Sequence, residues 1–141
     1  MEIHKNAIWD SRKIRSISLE SSYTVRRKRP MPESNPSARI VLTTTADPEE
    51  GARLAHTLVE ERLAACVTVI PGVQSVYRWQ GEVETSSETL LLLKTEQGQL
   101  STLETRLHAL HSYQTPEFLV LRVEAGSPAY LDWLHAALGK P

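Results

Sequence analysis

Apolar and β-branched residues run together in "RIVLTTT", which predicts a first strand over Arg39–Thr45. Asp47 then offers an N-cap, Pro48 suits the first helical position, and Glu50 stands three residues past the cap. Ala55, Leu58, Val59 and Leu63 follow at helical spacing, so the first helix is predicted over Pro48–Arg62. Val67–Ile70 reads as a second strand. Pro71-Gly72 interrupts it, because proline cannot donate to a central ladder. The strand resumes over Val73–Trp79, and Gln80-Gly81 has the form of a two-residue hairpin turn, with Gly81 supplying a positive φ. Glu82–Glu84 and then Glu88–Thr95 return antiparallel. "TLLLLK" is apolar on both faces, as a central strand is.

Leu100, Leu103, Leu107 and Leu110 repeat on one side of a second helix, predicted from Gly98 to His111. A short strand over Phe118–Val123 follows Thr115-Pro116. Ser127 and Pro128 open a last helix that ends before Gly139. The order β-α-β-β-α-β plus a terminal helix predicts an α+β domain: a ferredoxin-like antiparallel sheet, two helices on one face, and an additional C-terminal helix.

Residues 1–37 show neither period. Residues 1–30 hold eight basic side chains against three acidic ones, including the run "RRKR", so the remaining chain is acidic although the net charge is only −1. This stretch reads as a basic, disordered N-terminal extension ahead of a single domain over 38–141. "MPESNPSARIVL" makes Met31 an alternative start. An acidic body disfavours nucleic acid as a partner. No apolar run reaches the roughly 20 residues of a membrane span, so no membrane partner is expected. One cysteine excludes an intrachain disulfide and fits a cytoplasmic protein. GxSxG, P-loop, GxGxxG and HExxH signatures are all missing, and a non-enzymatic protein is expected.

Cys66 is the first candidate for chemistry. It follows a helix C-terminus, where the dipole disfavours a thiolate, and its neighbours are small and apolar, so it reads as a packed structural thiol. Pro71, Gly72 and Gly81 are read as structural too. Glu104, His108 and His111 lie at i, i+4, i+7 of the second helix, and a carboxylate with two imidazoles suits Zn²⁺ or Cu²⁺. A two-residue turn sets Trp79 opposite Glu82 and Tyr77 opposite Glu84. Ser75, Tyr77, Trp79, Glu82 and Glu84 then share one face, with Glu88 as well in the absence of a bulge, where aromatics beside carboxylates can recruit a cation or anchor a subunit contact. Tyr113 and Gln114 sit in a loop, where recognition residues concentrate. Lys94 ends the apolar strand and calls for a partner, with Glu88 and Glu117 as candidates. Tyr130 and Trp133 read as packing.

"LAACVTVIPGVQSVYRWQG", "ETLLLLKT" and "HSYQTPEFLVLRVEAGSPAYLDWL", in this order over about Arg39–Leu138, resemble the CutA family of divalent-cation tolerance proteins. The resemblance implies a homotrimer similar in architecture to the PII signalling proteins. Its implied role is tolerance to copper or another divalent cation, with no organic cofactor and no reaction to carry over. Together with the hairpin-face, loop and Lys94 readings above, a trimer makes a ligand pocket between subunits the expectation, with Tyr77, Trp79, Glu88, Lys94, Tyr113 and Gln114 as the candidates. The metal site described for some members uses a cysteine late in the first strand and two adjacent histidines ending the second helix. Those positions here are Thr43 and Leu110-His111, so only His111 matches. Two further readings stand beside this one: a PII-like small-ligand-sensing trimer without a dedicated metal site, and a small enzyme using Lys94, Glu88 and Tyr113 as acid–base groups.

Overall fold

The chain folds locally as its caps and turns dictate. The computed structural model describes residues 33–34 and 36–139. In chain order the elements are β1 (Glu33–Ser34), β2 (Ala38–Thr45), α1 (Pro48–Glu60), β3 (Cys66–Trp79), β4 (Glu82–Glu96), a 3₁₀ turn (Gln97–Gln99), α2 (Leu100–Leu110), β5 (Leu119–Arg122), β6 (Ala125–Gly126) and α3 (Pro128–Leu138). Residues 1–32, with the Met31 start, lie outside the described residues. Glu33–Ser34 pairs antiparallel with Ala125–Gly126, a small two-stranded sheet that the sequence pattern did not announce.

Asp47 caps α1 as expected: its backbone is extended, and its Oδ1 accepts the Glu50 N–H at 2.8 Å. Ser127 precedes α3, but its side chain makes no capping hydrogen bond, so only Pro128 marks that start chemically. β3 runs unbroken through Pro71-Gly72. The ladder to β4 shifts between Ile70 and Val73, and Gly72 has φ +71°, so the dipeptide is a bulge within one long edge strand. Gln80 (φ 49°) and Gly81 (φ 84°) are both left-handed, the signature of a type I′ hairpin turn.

The main sheet has the order β3-β4-β2-β5, and each pairing is antiparallel. That is the ferredoxin-like arrangement, with β4 and β2 central. Alternation along the strands sorts side chains onto two faces. Val41, Leu91 and Leu93 turn to one face and are buried against Leu54 and Leu58 of α1 and Leu103 and Leu107 of α2. Each such leucine contributes about 1.5–3 kcal/mol on burial, which is why α1 and α2 hold their places over this face.

Ile40, Leu42, Leu90, Leu92 and Lys94 take the alternate positions and point to the opposite face. There α3 covers only one end, burying Leu131, Leu134 and Leu138 with Ala38 and Ala65. The rest of this face stays half-exposed and largely apolar, reaching Leu119 and Leu121 on the edge strand β5, 54 % and 47 % exposed. The β3–β4 hairpin continues past the layers, with Val76, Trp79 and Val83 all more than half exposed at its tip. Among the described residues no helix is long and apolar enough to cross a membrane.

Candidate functional site

The register puts Val73 opposite Glu88, Ser75 opposite Ser86, Tyr77 opposite Glu84 and Trp79 opposite Glu82. These side chains share the face that lower down carries Leu90, Leu92 and Lys94. Where the hairpin leaves the body of the domain, Glu88 collects two hydroxyls. Ser75 Oγ donates to its Oε2 at 2.6 Å, and Tyr113 Oη donates to its Oε1 at 2.8 Å. Both are short, charge-assisted bonds. Desolvation, then the hydrogen bond to Glu88, then the charges of Glu88 and Glu50 and the phenol of Tyr77, push the Tyr113 hydroxyl up to about 12. It is therefore a neutral donor at physiological pH, and it locks the Glu88 carboxylate in place.

Tyr113 is held by a second set of bonds at the end of α2. His111 takes the C-cap position with extended backbone, and its ring is buried. Its Nε2 lies 2.8 Å from the Thr44 carbonyl, which can only accept, so Nε2 carries the proton. Its Nδ1 then accepts the Tyr113 N–H at 3.0 Å. The next residue, Ser112, donates both N–H and Oγ–H to Glu50, at 2.8 and 2.9 Å. Glu50 is 4 % exposed at the start of α1, so these bonds satisfy a buried carboxylate. Glu50 stands at the third helical position, from which a carboxylate can reach back to its own cap. Its carboxylate instead turns across to α2.

This geometry removes the helix-end metal site. Glu104 and His108 are exposed, while His111 points inward with both ring nitrogens engaged, so no lone pair remains for a metal. Thr43, at the position of the family cysteine, is fully buried, and Leu110 replaces the second imidazole. Among the described residues no group of three His, Cys, Asp or Glu is placed to hold a metal ion.

The predicted pocket set separates in two. Glu88, Tyr113, Tyr77 and Trp79 belong together along the hairpin root and tip, and exposed Gln114 follows Tyr113 in the loop. Lys94 stands six residues along β4 from Glu88, about 20 Å at strand rise. It pairs with neither Glu88 nor Glu117: its Nζ donates to Thr68 Oγ1 at 3.1 Å and meets Cys66 Sγ at 3.5 Å. An acid–base set of Lys94, Glu88 and Tyr113 therefore does not form within one chain. Cys66, read as core, is only half-buried on the same open face. Sequence reasoning missed Glu50, Ser112 and Thr44, the residues that position Tyr113. Only Glu50, a charge placed among the inward positions of α1, carried any signal.

Residues 39–137 match the family model described as CutA1 divalent ion tolerance protein. The chain is 47 % identical over 100 residues to the divalent-cation tolerance protein CutA of Thermus thermophilus, covering 71 % of this chain and 97 % of that one. It is 44 % identical over 95 residues to the chloroplastic protein CutA of Arabidopsis thaliana, covering 67 % of this chain and 52 % of that one, so it spans about half of that relative's length. Among solved structures, CutA from Synechococcus elongatus superimposes with a TM-score of 0.74 at 40 % identity, covering 78 % of this chain and 97 % of that one.

Proposed function

The chain belongs to the CutA1 divalent ion tolerance family, and from that premise we propose that it serves divalent-cation tolerance as a non-enzymatic, homotrimeric binding protein. Its ligand, Cu²⁺ or another divalent cation, is taken at the root of the β3–β4 hairpin around Glu88 and Tyr113, with no organic cofactor. The observation that carries this reading is the carboxylate of Glu88, oriented by Ser75 and Tyr113 and flanked on one face by Tyr77, Trp79 and Glu84. One chain supplies too few donors for a cation there. A neighbouring subunit completes the site.

The open sheet face supports assembly. An apolar surface of this extent on a small domain marks a protein contact, and cyclic symmetry closes such a contact into a ring. The free thiol of Cys66 fits a reducing, cytoplasmic setting.

Isothermal titration of metal-free protein with Cu²⁺ and Zn²⁺ tests the claim: saturable heat is expected, and Glu88→Gln abolishes it. No heat from the native protein at millimolar metal removes cation binding. A second reading, a PII-like small-ligand sensor, is favoured by the lack of any preformed group of three metal donors among the described residues. A metabolite that raises the melting temperature when metals do not would select it.

A further inference from the structure

The open face of β4 carries an anion at one end and a cation at the other. Thr89, Leu91, Leu93 and Thr95 are buried on the helix-covered face, so Glu88, Leu90, Leu92 and Lys94 all project onto the open one, where each is half-buried. Glu88 stands at the hairpin end of this row and Lys94 at the other, about 20 Å away at strand rise. Between them lie only Leu90 and Leu92, flanked by Ile40 and Leu42 of β2.

Neither charge is neutralised within its own chain. Glu88 accepts from Ser75 Oγ and Tyr113 Oη, which orient the carboxylate and leave its charge. Lys94 Nζ donates to Thr68 Oγ1 and meets Cys66 Sγ, both uncharged in their ordinary states, and an ammonium has a third N–H to give. Among the described residues the contacts of ion-pair length join Arg106 to Glu61, His111 to Glu50 and His135 to Glu96, so neither Lys94 nor Glu88 takes part in one. Arg78 of the hairpin lies opposite Val83 on the other face and donates to the Gly81 carbonyl. In an isolated chain water serves both groups. Once the face closes between subunits, each becomes a buried charge without a partner, which is strongly destabilising.

A ring of identical subunits supplies the partner. In a cyclic contact, one part of the interface patch meets a different part of it on the next subunit. A face with a lone cation at one end and a lone carboxylate at the other is complementary to itself in that head-to-tail sense. We infer that Lys94 of one subunit forms an ion pair with Glu88 of the next, on a carboxylate held ready by Ser75 and Tyr113. The inference rests on the assembly proposed above and not on the cation. The ammonium takes the place of a divalent cation at Glu88, so the two compete for one carboxylate.

The test is a double-mutant cycle on assembly. Lys94→Met, Glu88→Gln and the double variant are compared by sedimentation equilibrium in EDTA, with circular dichroism to show that each folds. Each single variant is expected to raise the subunit dissociation constant roughly thirtyfold or more, because it strands the other charge in the interface. The double variant strands neither and should assemble better than either single one. Within one chain the two residues are too far apart to couple, so effects that simply multiply would overturn the inference. Single variants that assemble as the native protein does would overturn it too. A native protein that stays monomeric would remove both the ion pair and the proposed assembly. Where a variant does not fold, carbodiimide treatment of the native protein decides instead. The reagent condenses an amine and a carboxylate in contact to an amide, taking up the water as a urea. A peptide joining Lys94 of one chain to Glu88 of another is expected, and a link from Lys94 to other carboxylates only, or to none, would overturn the ion pair. Loss of the ion pair from an intact trimer leaves the cation reading to its own titration.

Discussion

The Tyr113 hydroxyl donates to Glu88 Oε1 across 2.8 Å, tying the loop after α2 to the root of the β3–β4 hairpin. Two parts of the chain 25 residues apart are joined there by one short bond to a carboxylate. Behind Tyr113, His111 and Ser112 fix the loop to Thr44 and Glu50. The hairpin therefore shares one polar junction with the start of α1 and the end of α2.

The junction should titrate late. The Tyr113 phenol is raised from its ordinary 10 to about 12, first by desolvation and then by the Glu88 hydrogen bond. A raised acid keeps its proton longer when folded. Its stabilising contribution is thus complete below pH 10 and is lost as pH rises from about 10 to 12. Absorbance of tyrosinate should show one late step that Tyr113→Phe removes, and Glu88→Gln should shift that step toward 10. A late step that survives Tyr113→Phe would place the perturbed phenol elsewhere.

His111 should matter for stability and not for metal. Removing its ring strands the Thr44 carbonyl and the Tyr113 N–H, and each unsatisfied group costs about 1–3 kcal/mol. His111→Ala is expected to lower unfolding stability by about 2–4 kcal/mol by the same reckoning. His108→Ala, on an exposed position of α2, should change it by less than about 0.5 kcal/mol. Copper and zinc heats of His108→Ala should match those of the native protein. Loss of the heat in that variant would restore the helix-end site.

Much of this fold could be read in advance, because its determinants are local. Asp47-Pro48 starts α1, Gln80-Gly81 turns the hairpin, and the leucine spacing of α2 sets its buried stripe. Those signals also fixed the hairpin register, which is why Tyr77, Trp79 and the glutamates fall on one face as expected. What spacing could not show was direction. Glu104, His108 and His111 share a side of a helix, but the C-cap turn rotates His111 inward, where the distant Thr44 carbonyl claims it. Lys94 likewise calls for a partner in any reading, and only the sheet register shows that Thr68 and Cys66 stand beside it.

Thr43 offers a stabilising change. It is fully buried on the helix-covered face, and its Oγ1 has no hydrogen-bond partner. Valine has nearly the same shape without the hydroxyl, so Thr43→Val should raise stability by about 1 kcal/mol. Thr45, two residues on, is the contrast: its Oγ1 donates to the Asp47 carbonyl at 2.9 Å, so Thr45→Val should lower stability by about as much. Urea midpoints at fixed protein concentration, with unchanged slopes, measure both.

The open sheet face carries the last prediction. Leu92 is half-buried there, between Thr68 of β3 and Leu42 of β2, and no part of α1 or α2 lies over it. If this face joins subunits, Leu92 is dry in the trimer and wet in the monomer. Leu92→Glu then sets an unpaired carboxylate in the interface, a penalty of several kcal/mol in each subunit. In the isolated chain the same glutamate stays in contact with water and costs little. The variant should sediment as a folded monomer where the native protein is expected to sediment as a trimer, with its circular dichroism kept. Thr105→Glu, on the exposed side of α2, should leave the trimer intact. A Leu92→Glu protein that still sediments as a trimer would mean that the subunits meet through another surface, and the proposed cation site at Glu88 would then need its remaining donors from elsewhere.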